Sequence, residues 1–326
     1  MKNREFNFRS LTAREGRKEN DRYAQFVTED KDIVDTFVRE LNQNSADARG
    51  LNQDKAKLII RILTESEIKE PYLKKVTKSL EVPLDIKLKD LTTRVLTIEE
   101  IHTTGLRGSI DIRDEDSDHN GFWLDSGRAT GKGKQSNSTK SGSAGKGNII
   151  LFAASEIRTV LACTDRIDAT SHEEYILGKC ELLHSFEDSN DSGERKSYEG
   201  FYCDFGHEDA VIPIDDTQEL KEFKEAFDLK RSSLGKGTSF VIPYPKKEFT
   251  EESILESILK ENFYLILDGQ LEVEVNGRTV HKNNVCDVAD EILQEGKENR
   301  ETQLYATALA NETSTAENFN ASLSAV

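Results

Sequence analysis

The sequence predicts an α/β or α+β fold, and three observations carry that reading. The apolar residues Ile33, Val34, Phe37, Val38 and Leu41 recur at steps of three and four, the period of an amphipathic helix. A second set, Ile254, Leu255, Ile258, Leu259, Phe263 and Ile266, repeats that period after Thr250. Between the two lie short runs rich in Ile, Val, Leu and Thr with partial alternation, the signature of strands. At 326 residues, with 36% hydrophobic and 32% charged, the chain can bury a sizeable core in one large domain or two modest ones, and its apolar segments exclude a wholly disordered protein.

Residues 1–30 are polar and charged, with Phe6, Phe8, Tyr23 and Phe26 scattered among them, and read as an arm or strap that docks on a neighbour. Residues 31–285 read as the main domain. Its first helix begins near Asp32. "KLIIRIL" and "TRVLTIEE" follow as strands of one sheet, separated by the lysine-rich "EIKEPYLKKVTKSLEVP". From Ser126 to Asn148 the composition changes to Gly and Ser with five basic residues and no acid, which reads as a loop. "NIILFAASEIRTVLACT" is a short buried helix and then a strand starting near Arg158. "GFYCDF" and "GTSFVIPYP" continue the sheet. Thr250, followed by Glu251 and Glu252, is an N-cap for the second long helix. "LEVEVNGRTV" predicts a hairpin turning at Asn276-Gly277. Residues 286–326 read as a polar extension, the start of a second domain that is missing or absent.

The longest apolar runs are too short to cross a bilayer, and "MKNREFNFRS" lacks the apolar core of a signal peptide, so the expected compartment is the cytoplasm. Cys163, Cys180, Cys203 and Cys286 show no CxxC spacing, which indicates neither a zinc site nor a disulfide framework. A formal net charge of −17 opposes direct nucleic-acid binding, since the mean field repels phosphate backbones. The basic loop, read as a nucleic-acid patch, has no interleaved aromatics and ranks below its other reading, a phosphate lid.

Three side chains pose the chemical question. At about 100° per residue, Glu40, Asn44 and Asp47 fall within a roughly 60° arc beside the apolar stripe of the first helix. Carboxylates on a buried margin need donors, a metal or a ligand to offset desolvation; a capped or salt-bridged helix end is the other reading.

Here "ELNQNSADA" resembles the first box of the GHKL superfamily of gyrase, the ninety-kilodalton heat-shock chaperone, sensor histidine kinases and MutL. By that resemblance Glu40 is the general base that orients water toward the terminal phosphate of ATP, Asn44 coordinates Mg2+, and Asp47 and Ala48 line the nucleotide pocket. "IEEIHTTGLRG" resembles the second box: Glu100, where an Asp is usual, takes the adenine amino group, and Gly105 and Gly108 form the glycine turn. His102 reads as a loop residue rather than a catalyst.

"GSAGKGN" resembles the phosphate lid, with Gly142, Ser143, Gly145, Lys146 and Gly147 bringing backbone N–H groups to an anion. Gly142 and Gly147 have the Walker A separation, but Asn148 takes the Lys position and no Ser or Thr follows, so the stretch is not a Walker A loop; Asn148 also departs from the Lys of the similar glycine box in bacterial members of the superfamily. "GKGTSFVIPYP" resembles the fourth element, in which Thr238 reaches the base through a water.

The resemblance spans roughly residues 25 to 285 and is closest to a bacterial, MORC-like branch. It implies a two-layer α/β sandwich, the Bergerat ATP-binding fold, in which a mixed, mostly antiparallel sheet carries helices on one face. The implied function is slow, Mg2+-dependent ATP hydrolysis whose lid closure drives homodimerisation or the switching of a protein partner, in a setting such as DNA repair or phage defence. The alternative is a nucleotide sensor or scaffold without turnover. A histidine kinase domain fits less well, because no helical hairpin bearing a phosphoacceptor histidine precedes Glu40.

Overall fold

A computed structural model describes residues 4–12, 32–47, 56–106, 148–166, 174–188, 193–206 and 211–293. The frame is a ten-stranded sheet. In chain order its strands are β1 (Asn7–Ser10), β2 (Ala56–Thr64), β3 (Arg94–Ile101), β4 (Thr159–Asp165), β5 (Glu174–Glu181), β6 (Phe186–Asp188), β7 (Glu194–Tyr202), β10 (Gly237–Pro243), β11 (Leu271–Val275) and β12 (Arg278–Val280). β8 (Asp204–Phe205) and β9 (Val211–Ile212) form a separate two-stranded ribbon. Across the sheet the order is β1-β7-β5-β4-β10-β3-β2-β11-β12, with β6 also on β7. Pairing among these strands is antiparallel except for β2 with β11, which matches the mixed, mostly antiparallel expectation.

Helices α1 (Ile33–Asp47), α4 (Asn148–Ala153), α6 (Glu251–Leu267) and α7 (Val285–Leu293) cover one face. Local chemistry starts each of the two long ones. Asp32 caps α1 by accepting the Val34 N–H at 2.7 Å. Thr250 accepts from the Ser253 N–H while Ser253 Oγ accepts from the Thr250 N–H, a reciprocal capping box that closes two otherwise unpaired donors of α6. Val34, Phe37, Val38 and Leu41 enter the same core as Leu58, Ile60, Leu96, Ile98, Phe240 and Ile242, and Phe37 meets Phe249 edge-on at 5.0 Å. The hairpin turns where expected: Asn276 and Gly277 both take positive φ, the requirement of a type I′ turn. The Asn276 side chain also accepts from the Ile62 N–H and donates to Glu251, tying the turn to β2 and to the start of α6.

The opposite face is covered as well. There α2 (Glu70–Thr77), α3 (Glu81–Leu84) and α5 (Thr217–Ala226) flank a second core of Leu73, Val76, Leu80, Phe223 and Phe227 against Val95, Leu161, Cys163 and Val241. Glu219 on α5 is its polar hub, accepting from Tyr72 and Tyr202 hydroxyls at 2.7 and 3.0 Å and from Arg4 at 3.2 Å. Burial, reinforced by the neighbouring carboxylate, pushes both tyrosines well above their usual range and keeps them protonated donors.

Two boundaries differ from the sequence reading. Residues from Arg4 to Leu11, expected to form an arm docking on a neighbour, are built into this chain's own sheet. Arg4 bonds Asp204 and Glu219, and Phe8 lies on Gly200 so closely that a Cβ there would fall 2.5 Å from the ring. Tyr23 and Phe26 lie outside the described residues. At the other end the core does not stop at residue 285: Val285, Val288 and Ala289 of α7 are buried in it.

Candidate functional site

On three adjacent strands the residues facing α1 and α6 read apolar, apolar, polar. They are Leu96, Ile98 and Glu100 on β3; Ile242, Phe240 and Thr238 on β10; Val160, Ala162 and Thr164 on β4. Register aligns them: Ile98, Phe240 and Ala162 form one cross-strand row, and Glu100, Thr238 and Thr164 form another. The core thus ends in a polar row at one end of the sheet, although Glu100, Thr238 and Thr164 are all buried. Buried polar groups at the margin of an apolar core are where a ligand of mixed polarity is read.

The turn after β3 closes on that row. Gly105 takes φ +73, and a Cβ there would stand 2.7 Å from the Asp165 carbonyl and 2.9 Å from Thr164 Oγ1, so this position requires glycine on both counts. The next N–H, of Leu106, donates to Thr164 Oγ1 at 2.9 Å, and Thr164 and Thr238 hydroxyls stand 3.1 Å apart. Gly237 opens β10 so tightly against β3 that a Cβ would overlap the Glu100 carbonyl oxygen at 1.9 Å. That contact explains the Gly-Thr pair: the glycine admits the close approach that puts Thr238 opposite Glu100. The Thr103 hydroxyl, buried beside Gly237, has no hydrogen-bond partner among the described residues. His102 adopts φ +65 against Gly235 and donates its N–H to Lys236, a turn residue as the sequence reading has it.

Behind the row, on the other face, lies one that the sequence reading passed over. Glu99 is fully buried and accepts from the backbone N–H groups of Lys230 and Arg231 at 2.9 and 2.6 Å, from Arg61 at 3.1 Å and from Ser239 at 3.3 Å. Arg231, also buried, donates to Ser239 and to Glu174. Burial works to raise the Glu174 pKa, but Lys224, 2.7 Å away, and Arg231 outweigh it and hold the carboxyl below its usual range. Burial pushes the Cys163 thiol up to about 12, so it stays protonated and inert as a nucleophile. The adjacent pair Glu99-Glu100 was the available signal, since strand alternation sends one to each face.

Of the residues singled out from sequence, Glu100, Gly105 and Thr238 therefore converge. Glu40 is half-buried on α1, on the face of the sheet that holds the row. Asn44 and Asp47 lie one and two turns further along that helix, and their side chains are outside the described residues. Ala48, Gly108, Gly142, Ser143, Gly145, Lys146 and Gly147 also lie outside them. Among the described residues no group of three or more His, Cys, Asp or Glu could hold a metal ion, and no helix is long and apolar enough to cross a membrane.

No family model matches the chain, and no curated protein matches it. Among solved structures it is similar to the ATPase region of Saccharomyces cerevisiae topoisomerase II, at 11% identity over 79% of this chain and 51% of that one, with a TM-score of 0.35. The same region bound to ICRF-187 (dexrazoxane) matches at 12% identity over 80% and 53%, TM-score 0.37. The ATPase and transducer domains of DNA topoisomerase II from Balamuthia mandrillaris match at 9% identity over 78% and 50%, TM-score 0.34. The chain spans about half the length of these structures.

Proposed function

We propose that this chain is a GHKL-type ATP-binding domain that hydrolyses ATP slowly with Mg2+. The observation that carries the reading is the buried polar row Glu100–Thr238–Thr164, closed by the Gly105 turn, at one end of an apolar core on the face that α1 covers. A carboxylate beside a hydroxyl suits a purine edge that offers an amino group beside a ring nitrogen, and the apolar residues next to them suit the base's faces. Glu100 takes the adenine amino group, and Gly105 and Gly108 let the turn approach the base.

Glu40 orients the attacking water. A half-buried carboxylate on a helix that covers the same face as the row suits a general base, which must stand within hydrogen-bond reach of that water. Mg2+ is a hard cation that takes one or two protein oxygens and completes its shell with phosphate and water. A neutral amide such as Asn44, one turn after Glu40, fits that requirement without adding charge; Asp47 and Ala48 line the pocket beyond it. The sequence-based phosphate contacts are Gly142, Ser143, Gly145, Lys146 and Gly147. Their closure over the triphosphate would drive homodimerisation or switch a protein partner, in the MORC-like settings of DNA repair or phage defence.

Phosphate release from wild type and Glu40→Ala tests the enzyme claim. Slow, Mg2+-dependent release that the variant loses is expected; equal, Mg2+-independent rates contradict it. The second reading, a sensor that binds ATP without turnover, is favoured by Glu100 and Asn148 at positions where relatives carry Asp and Lys. It predicts a thermal shift with ATP and no phosphate release.

A further inference from the structure

Thr164 belongs to the row but has been given no role of its own, and it stands at one end, on the far side of Thr238 from Glu100. Its side chain is 2% exposed on β4, directly across from Thr238. Its Oγ1 accepts from the Leu106 N–H at 2.9 Å, lies 3.1 Å from Thr238 Oγ1, and lies 3.5 Å from the Gly237 carbonyl. A hydroxyl owns one proton and two lone pairs. With one lone pair committed to Leu106, the Thr164 proton goes to the nearer oxygen, that of Thr238, because the carbonyl stands at the far limit of hydrogen bonding. Thr238 then accepts from Thr164 and keeps its own proton to give.

The geometry points to Thr164 as a positioning residue that sets the polarity of the base-reading row and thereby its choice of purine. The inference rests on the row being a nucleotide-base site. Thr164 makes Thr238 a donor and, through Leu106, holds the Gly105 turn closed on the same spot. The row then presents an acceptor, the Glu100 carboxylate, beside a donor, the Thr238 hydroxyl. Adenine offers the complement, an amino donor beside a ring-nitrogen acceptor. Hypoxanthine reverses both, with a carbonyl acceptor beside a ring N–H donor, and is refused. Without the Thr164 hydroxyl the Thr238 rotor is free to turn and accept, so the refusal weakens.

The test is calorimetric titration of the full chain with Mg2+ and either ATP or ITP, for wild type, Thr164→Val, Thr238→Val and the double variant. Thr164→Val should weaken ATP about tenfold, the effect of losing a single well-placed hydrogen bond and orphaning its partner. It should also narrow the ATP-to-ITP ratio, and Thr164→Ser should restore both. In the Thr238→Val background the Thr164 change should have a smaller further effect, only that of the lost Leu106 bond, since the part passed through Thr238 is already gone.

An unchanged ATP-to-ITP ratio in Thr164→Val, or strictly additive effects in the double variant, overturns the inference while leaving the base site standing. Wild type that binds neither nucleotide overturns the base site and the inference with it. Should Thr164→Val fail to fold by circular dichroism, Thr164→Cys, similar in volume with a thiol that bonds poorly, carries the same prediction.

Discussion

Glu99 and Glu100 are neighbours on β3, both buried, and point to opposite faces of the sheet, so their substitution has opposite signatures. Glu99 holds two backbone N–H groups, Arg61 and Ser239, and removing it takes the carboxylate acceptor from both N–H groups in the interior. Glu99→Ala should cost about 3 kcal/mol in urea unfolding. Glu100→Gln, which keeps the shape, should change stability far less but lose ATP binding. Only the second glutamate was legible in the sequence, because it sits in a recognisable box; most partners of the first, Lys230, Arg231 and Ser239, are over a hundred residues away along the chain. Glu174 gives a pH signature. Its folded pKa is depressed by Lys224 and Arg231 against the effect of burial, so its contribution is present above the unfolded value, about 4.3, and is lost as pH falls through the folded one. Urea midpoints measured between about pH 5 and 3 should fall steeply in wild type and less steeply in Glu174→Gln.

Elements whose start and period are written locally were legible: α1, α6 with its Thr250 cap, and the hairpin at Asn276-Gly277. Thr250→Ala should accordingly lower stability by about 1 kcal/mol, measured as a shift in urea midpoint at constant slope. Elements held by distant contacts were not. Lysines dominate the exposed side of α2, and only Tyr72, Leu73, Val76 and Thr77 on its other side reveal that it covers the second core. β5 carries buried Lys179 and Glu181, which meet each other at 2.9 Å, so its pattern does not read as a core strand. The strand within the N-terminal segment is not legible for a similar reason. Two phenylalanines in a polar segment signal docking, but the surface they dock on is shaped by Gly178 and Gly200, far away in sequence. Phe8→Ala should cost about 3 kcal/mol and loosen β1 from β7, seen as lost amide-exchange protection at Phe201.

At the scale of the whole molecule, the same end of β3 and β10 is polar on both faces, Glu100 and Thr238 on one and Glu99 and Ser239 on the other. Strands fix this economically: consecutive residues alternate faces, and register across β3, β10 and β4 lines up like with like. The turn at Gly105 closes on Thr164 and Asp165, and the tight start of β10 at Gly237 closes on Glu100 and Thr103. Net charge of −17 sets the long-range field against anions, so any affinity for a triphosphate must come from local contacts of the kind this end and the first helix offer. Calorimetric titration of wild type and Glu100→Ala with MgATP tests this most directly. Saturable one-to-one binding by wild type, abolished in the variant, is what the arrangement of the polar row predicts; no heat with wild type, or equal affinity in both, would contradict it.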